Sequence, residues 1–257
     1  MNYMSNMLFT FKDWLIPNSS TLPKGGGLFS VTHIVMIVLM FLWIVGTFLL
    51  FAKRHSLAHK VVTFCCYFMM FSRTFRIVFE TIVGTNTFVE MWPWHLCHVM
   101  AYVFPIFYLT KTKKFFTPIV IVTFFGGVLT FLFGNYYAYK IPTFFDIESM
   151  ILHFMMFTVV VGVVATKYIS IELKNLWQVP IVLILVIANA SLGNYLCPNK
   201  NFLFLRENAL PFDLFPGYSH YYTYSVLVFI IAVVVMIPVL VIHYIKKKKS
   251  YKYEIIG

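Results

Sequence analysis

Seven long apolar segments constrain the fold of this chain more than any other feature of its sequence. They lie near residues 28–52, 61–83, 94–110, 115–134, 147–167, 176–194 and 222–245. Most approach the roughly 20 residues that a helix needs to cross a hydrocarbon core. The alternating pattern of a barrel strand is absent, and lipid does not tolerate unpaired peptide groups. The sequence therefore predicts an all-α, polytopic membrane protein, a bundle of seven transmembrane helices.

The distribution of charge predicts how this bundle is oriented. The formal net charge is +11 at pH 7, which in a soluble chain would suggest a nucleic-acid partner. Here most Lys and Arg residues lie in the loops after the first, third and fifth segments and in the tail 246–257. Because basic loops stay cytoplasmic, we expect an N-terminus outside, a cytoplasmic C-terminus and no nucleic-acid partner. The expected location is the plasma membrane, as a multi-pass protein of unknown oligomeric state.

Three further regions accompany the transmembrane domain, 28–245. Residues 1–27 show no signal-peptide pattern and are expected to be an extracytoplasmic or interfacial segment. The tail 246–257 is basic and expected in the cytoplasm. The connection 196–219 mixes prolines with aromatic residues, which is too apolar for a solvated linker. We expect it to form a lid over the outer mouth of the bundle, with packing onto lipid headgroups as the alternative.

Polar residues of the apolar segments gather near the predicted outer ends. Ionisable groups at membrane depth usually mark a pathway, a site or a structural pair, so each of these residues is a functional candidate. The candidates for contact with substrate are Arg73, Arg76, Glu80, His33, Asn189, Asn194 and Tyr195.

Three of these candidates share one helical face. Arg73, Arg76 and Glu80 follow the spacing i, i+3 and i+7, and Arg76 and Glu80 form an i, i+4 pair. Two interpretations are open. The pair is either an internal ion pair that orients helices, or a guanidinium that holds a phosphate or carboxylate while Glu80 fixes its orientation.

The run Trp92-Pro93-Trp94-His95-Leu96-Cys97-His98 places a thiol between two imidazoles at the start of the third segment. A thiol beside histidine at a helix N-terminus is the setting that favours a thiolate nucleophile. We predict that Cys97 is the nucleophile, that His153 from another helix is the base, and that His95 orients a group or stabilises an oxyanion. A small buried hydrophobe is the alternative for Cys97.

Metal and disulfide chemistry are weaker interpretations of the same residues. No CxxC spacing indicates a structural zinc site, and no HExxH-like spacing supports a metal held by His33, His95, Cys97, His98 and His153. We predict no metal and no soluble cofactor. A disulfide between Cys97 and Cys197 would remove the nucleophile.

The chain resembles the YwaF family of bacterial integral membrane proteins, which also includes a eukaryotic transmembrane acyltransferase. The family pattern has Phe-Ser-x-x-His before the first span, a glutamate late in the second, Leu-Pro-x-His-Leu-Cys opening the third, a histidine in the fifth, and Asn and Asn-Tyr near the end of the sixth. The corresponding residues here are Phe29, Ser30, His33, Glu80, Pro93, His95, Leu96, Cys97, His153, Asn189, Asn194 and Tyr195. Trp92 stands where the pattern has leucine, and Tyr195-Leu196-Cys197-Pro198 departs from it after the sixth span.

The resemblance implies a protein that moves fatty acyl chains between phospholipids, with Cys97 as the acyl carrier. The predicted function is therefore a lipid acyltransferase or transacylase at the outer leaflet, whose partner is a membrane phospholipid or lysophospholipid. If water accepts the acyl chain, the same site is a phospholipase. The alternative from another class is a lipid or small-solute binding protein or transporter, in which Arg73, Glu80 and His153 form a recognition or proton-relay site. The inverted repeat common in transporters is not seen, and a purely structural role is a third possibility.

Overall fold

The computed structural model describes residues 29–133, 143–168 and 173–206, and all regular secondary structure within these ranges is helical. Four helical stretches there are long and apolar enough to cross a membrane: Val31–Lys53, His55–Val83, Phe144–Thr166 and Asn175–Leu196. The helices are α1 (Val31–Lys53), α2 (His55–Val83), α3 (Phe88–Met91), α4 (Leu96–Leu109), α5 (Phe116–Phe133), α6 (Phe144–Thr166) and α7 (Val179–Leu196), with 3-10 turns at Leu173–Gln178 and Phe202–Phe204.

Six of the seven predicted apolar segments coincide with these helices, which confirms an all-helical membrane protein. The seventh segment, 222–245, lies outside the described residues, as do the N-terminal segment 1–27, the basic tail 246–257 and the candidate lid beyond residue 206. The count of seven spans and the orientation therefore stay predictions. Below, the site end of the bundle means the end where α2 and α7 finish and where α1, α4 and α6 begin.

Local capping signals determine where the helices begin and end. The Ser30 side chain accepts a hydrogen bond from the His33 N–H and starts α1. Reciprocal capping boxes start α3 at Thr87 and α6 at Thr143. Gly84, with a φ of 76°, ends α2 in the left-handed conformation that favours glycine. These caps satisfy backbone groups that would otherwise be unpaired at the site end.

Helix α4 begins below the site end of α2 rather than level with it. Arg73 lies ten residues before the end of α2, about 15 Å along the helix axis. Its Nη2 nevertheless donates a hydrogen bond to the carbonyl oxygen of Met91, at 3.1 Å. The chain after Gly84 must therefore fold back beside α2, and α4 needs only 14 residues. As a result, Cys97 is held inside the bundle instead of at its rim.

Helix α6 is the centre of the packing, since it contacts α1, α2, α4 and α5. Phe157 and Val159 on α6 are fully buried. Trp43 of α1 donates from Nε1 to the Thr158 hydroxyl at 2.9 Å, which fixes α1 against α6. Gly127 of α5 allows the Phe157 ring to approach closely. The result is a rigid helix that carries His153 and Glu148 at its site-end half.

The contact between α7 and the chain before α4 depends on a glycine. A Cβ atom added at Gly193 would lie 2.5 Å from the Trp94 ring, whereas one added at Gly46 in α1 would have no neighbour within 4 Å. We expect Gly193→Ala to lower the melting temperature of the purified protein, because overpacking a filled core costs about 1–3 kcal/mol. Gly46→Ala, the matched control, should leave the melting temperature unchanged or raise it. Equal melting temperatures for the two variants would contradict this packing.

Candidate functional site

Cys97 lies in the first turn of α4, where backbone N–H groups have no partner within the helix. The residue is partly exposed and the thiol is free. The unpartnered N–H groups and the positive end of the helix dipole favour negative charge near the sulfur, while burial opposes it.

The two histidines predicted for the site are held in opposite tautomers by their backbone partners. His95 Nδ1 accepts a hydrogen bond from the Leu203 N–H at 3.3 Å, so its proton is on Nε2. His153 on α6 donates from Nδ1 to the Ser149 carbonyl at 2.7 Å, so the neutral ring has its lone pair on Nε2. His95 therefore offers an N–H donor, and His153 offers a proton acceptor.

The candidate residues lie on helices that pack against one another. Helix α4 contacts α2, which carries Arg73, and α6, which carries His153. The His95 and His98 rings meet edge to face, with their centroids 5.2 Å apart. The structure thus places Cys97 and His95 at the start of α4 and the predicted base on the neighbouring helix α6.

Arg76 and Glu80 form the internal ion pair that was one of the two interpretations of their spacing. Arg76 Nε donates to Glu80 Oε1 at 2.7 Å, and Nη1 donates to Glu148 Oε2 at 3.1 Å. The guanidinium also lies 4.6 Å from the centre of the Phe145 ring. The other carboxylate oxygen of Glu148 accepts from the Ser72 hydroxyl at 2.5 Å. These contacts fix α2 against α6.

Glu148 is a site residue that sequence reasoning missed. It lies two residues after Asp146, whose side chain takes part in the capping box of α6. In the sequence it is therefore not distinguished from the other polar residues at the start of that helix. The signal that could have identified it is a second carboxylate in the first turns of an apolar helix, where an ionised group needs a cation. That cation is Arg76.

Arg73 lies one turn from Arg76 on α2 but has different hydrogen-bond partners. Its side chain is buried, with 2% of the residue exposed. Its Nη2 donates to the Met91 carbonyl, while Nε has no hydrogen-bond partner among the residues that the structure describes. No ion pair between Arg73 and a carboxylate occurs within those ranges either. Arg73 therefore keeps a buried hydrogen-bond donor, Nε, that no described residue accepts.

The polar network continues from Glu80 to the surface. Asn86 donates to Glu80 at 2.5 Å, and the Lys200 ammonium donates to Asn86 Oδ1 at 2.9 Å. Lys200 also lies 3.4 Å from a carboxylate oxygen of Glu90. Hydrogen bonds from the N–H and hydroxyl of Thr87, and to a smaller extent the Lys200 charge, hold the pKa of Glu90 below its usual value. This pair links the chain after α7 to the loop after α2.

Residues 197–206, called here the cover segment, lie over the start of α4. Asn194 accepts from the Phe202 N–H at 2.7 Å and donates to the Phe202 carbonyl at 3.0 Å. The Phe202 ring packs against Trp94 and His95. Leu203, with a φ of 55°, is held in the left-handed region where its N–H reaches His95. This part of the predicted lid is therefore a fixed cover.

The remaining residues that the sequence predicted for contact with substrate, Asn189, His33 and Tyr195, lie in three different surroundings. Asn189 donates to the Pro93 carbonyl at 2.9 Å, so it orients the backbone before His95. His33 is fully buried; its Nδ1 accepts from the Phe29 N–H and its Nε2 donates to the Phe131 carbonyl, each at 2.8 Å. Tyr195 is 79% exposed on the outside of α7. Phe131 contacts both buried histidines, His33 through its carbonyl and His153 through its ring.

Metal and disulfide interpretations gain no support from the geometry. Within the described ranges, no group of three or more His, Cys, Asp or Glu side chains is arranged to hold a metal ion. All four cysteines, including Cys97 and Cys197, are free thiols.

Comparison with known proteins identifies one family. Residues 28–249 match the family model described as the TMEM164 family. No curated protein and no solved structure matches the chain.

The cover segment should open when its anchor is removed. Asn194→Leu leaves the Phe202 N–H and carbonyl without their partner, at a cost of about 1–3 kcal/mol for each buried group. We expect amide hydrogen exchange in residues 201–205 to become at least roughly tenfold faster. Tyr195→Leu, at the exposed neighbouring position, should leave exchange unchanged. Unaltered protection in Asn194→Leu would mean that Asn194 is not the anchor.

Acid should weaken the Glu90 contacts. Because the pKa of Glu90 is lowered in the folded protein, its contribution to stability is present at neutral pH and is lost as the pH falls through that lowered value. The melting temperature of the wild type should exceed that of Glu90→Gln at pH 7, and the difference should disappear as the pH falls below about 4. Thr87→Val, which removes a donor, should show a smaller pH dependence. A difference that does not vary with pH would refute this assignment.

Proposed function

The chain belongs to the TMEM164 family of transmembrane proteins, and we propose that it is a membrane-embedded acyltransferase that carries an acyl chain on Cys97 as a thioester. The substrate is a phospholipid of the outer leaflet of the plasma membrane, and the acceptor is a lysophospholipid. The observation that carries the proposal is a partly exposed thiol in the first turn of α4, next to His95 in the chain, with a histidine of the opposite tautomer, His153, on the neighbouring helix α6. The resemblance to the YwaF pattern, in which the cysteine of His-Leu-Cys is the acyl carrier, supports the same role for Cys97.

In the first half-reaction, the Cys97 sulfur attacks the carbonyl carbon of a phospholipid ester. The thiol proton passes to the lone pair of His153 Nε2, directly or through the neighbouring His98. An S–C bond forms, and the ester C–O bond breaks. The departing lysolipid oxygen takes the proton from the imidazolium, so that no charge remains in the apolar surroundings.

In the second half-reaction, the hydroxyl of a lysolipid attacks the thioester carbon. His153 takes the hydroxyl proton, a new C–O ester bond forms, and the S–C bond breaks. The proton returns to the sulfur and regenerates the thiol. If water replaces the lysolipid, the product is a free fatty acid and the protein is a phospholipase acting through the same site.

Both half-reactions pass through a tetrahedral oxyanion, and the chain offers donors for it. His95 presents an N–H at Nε2, because its Nδ1 is occupied by the Leu203 N–H. The first N–H groups of α4, which have no partner within the helix, follow His95 directly in the chain. Donors that are already oriented toward a developing charge contribute more in a water-poor site than in water, with about 10²–10³ in rate for a single donor.

The test is intact-mass analysis of the purified full-length protein after incubation with phospholipid of defined chain length. We expect an added mass equal to one acyl group, removed by neutral hydroxylamine, and absent in Cys97→Ala. Cys197→Ala, which changes the other cysteine at the site end, should retain the adduct. With labelled lysophospholipid present, the label should appear in diacyl lipid rather than in free fatty acid.

Other outcomes separate the alternatives. Label recovered only as free fatty acid would identify a phospholipase. Activity retained by Cys97→Ala would remove the nucleophile from the proposal. Lipid that co-purifies without any covalent adduct would favour a lipid-binding protein or transporter.

A further inference from the structure

A groove on α2 lies at the end of the bundle opposite the candidate site, which is called here the basic end. At that end α1, α4 and α6 finish, and α2, α5 and α7 begin. The groove has a volume of about 470 Å³ and is lined by His59, Lys60, Thr63, Phe64 and Tyr67. Ligand pockets in proteins have volumes of about 300–1,000 Å³. The groove is therefore large enough to hold part of a small molecule.

The groove and its surroundings are positively charged. Lys60 is exposed, and its ammonium group takes part in no hydrogen bond or ion pair within the described ranges. None of the described residues at the basic end is Asp or Glu. Further basic residues there are Lys53, Arg54, Lys111, Lys113, Lys114 and Lys167. Membrane topology accounts for basic loops, but Lys60 is the sixth residue of a helix and lines a groove.

One wall of the groove is fixed by contacts from three parts of the chain. His59 Nδ1 lies 3.3 Å from the Tyr108 hydroxyl of α4, and its ring meets the ring of Tyr168 with 4.6 Å between centroids. The two tyrosine rings are 5.1 Å apart. The Lys111 N–H donates to the Tyr108 carbonyl at 3.1 Å, and Lys167 precedes Tyr168 in the chain. Basic residues from separate helices are thus held around one aromatic cluster.

The side chains that continue from the groove along α2 are aromatic. The spacing i, i+4, i+7 and i+11 places four exposed side chains on one helical face: Lys60, Phe64, Tyr67 and Phe71. The three aromatic residues are 60–67% exposed. Eleven residues of helix extend about 16 Å, which is close to half of a hydrocarbon core of about 30 Å. The face therefore has a positive group at its end and an apolar length that matches one leaflet.

We propose that this groove binds an anionic glycerophospholipid of the leaflet at the basic end. The phosphate lies beside Lys60, and an acyl chain lies along Phe64, Tyr67 and Phe71. A headgroup with net negative charge is complementary to surroundings in which every described charged residue is basic. Basic pockets between transmembrane helices are known to bind anionic headgroups in this way.

The lipid proposed here is bound and not transformed. Tyr108, beside the groove, lies eleven residues after Cys97 on α4, about 16 Å along the helix axis. The groove therefore goes beyond the acyltransferase function proposed above, and lipid binding in it does not depend on the thiol.

Charge separates this proposal from ordinary contact with the bilayer. Any exposed apolar face of a membrane helix is in contact with acyl chains, whatever their headgroups. A zwitterionic headgroup has no net charge, whereas an anionic headgroup is attracted by each cation near it. Discrimination between two lipids with the same acyl chains is therefore the property to measure.

The experiment titrates the full-length protein in detergent with phosphatidylglycerol or phosphatidylcholine of identical acyl chains, and native mass spectrometry counts the bound lipids. We expect the wild type to bind phosphatidylglycerol at least about fivefold more tightly than phosphatidylcholine. Lys60→Gln should weaken phosphatidylglycerol binding about fivefold, the effect of removing one lysine near an anionic membrane surface, and leave phosphatidylcholine binding unchanged. Lys60→Arg, which keeps the charge, should bind like the wild type.

Lys113→Gln is the matched control, because it removes the same charge from the same end of the bundle but not from the groove. It should bind phosphatidylglycerol like the wild type. Equal losses in Lys60→Gln and Lys113→Gln would overturn the proposal, since general attraction by the basic end would then retain the lipid. Equal binding of the two lipids by the wild type would overturn it as well. Cys97→Ala should keep the preference, so this proposal stands or falls separately from the acyltransferase proposal.

A photoreactive phosphatidylglycerol with a diazirine in one acyl chain locates the lipid without changing the protein. We expect crosslinks to the part of α2 that contains Phe64, Tyr67 and Phe71. Unlabelled phosphatidylglycerol should suppress these crosslinks more strongly than phosphatidylcholine does. Crosslinks that both lipids suppress equally, or that occur only on other helices, would contradict the proposal. The absence of crosslinks on α2, as expected if another segment or a second copy of the chain fills the groove, would also contradict it.

Discussion

The pairing of buried charge between α2 and α6 determines the arrangement of the rest of the site. Moving ionised groups out of water is costly, so Arg76, Glu80 and Glu148 are stable at this depth only because they contact one another. Their geometry sets the position of α6 along α2. Since His153 and Glu148 are on the same helix, the ion pair also determines where the imidazole lies relative to α4.

Backbone groups determine the second half of the site. The chain between Gly84 and α4 folds back into the bundle, and its carbonyls at Met91 and Pro93 are bound by Arg73 and Asn189. Asn194 binds both backbone groups of Phe202 and so holds the cover segment on His95. Side chains that the sequence suggested for substrate contact thus include two asparagines that orient the backbone around His95. That arrangement fixes the backbone around Cys97, although α4, with 14 residues, is shorter than a full membrane span.

Sequence reasoning named the candidate residues but not the contacts that they make. Cys97, His95 and His153 were expected together because topology places them at similar depth, and they lie on the neighbouring helices α4 and α6 or at the start of α4. The roles of Arg73 and Arg76 were not separable, since i, i+3 spacing places both on one face. Their difference comes from Glu148, seventy-two residues from Arg76 in the chain. Likewise, His33 is a residue type typical of a functional site, yet its two ring nitrogens bind backbone groups of Phe29, just before α1, and of Phe131 in α5.

The sequence by itself determined that the chain is a helical membrane protein, because the length and hydropathy of its segments leave no other way to satisfy backbone groups in lipid. It also determined which residue types lie near the end of the bundle that carries the site. The tertiary structure decided which of those residues pair, which tautomer each histidine adopts, and which arginine has carboxylate partners. Those properties depend on partners from distant parts of the chain, and periodicity along one helix carries no information about them.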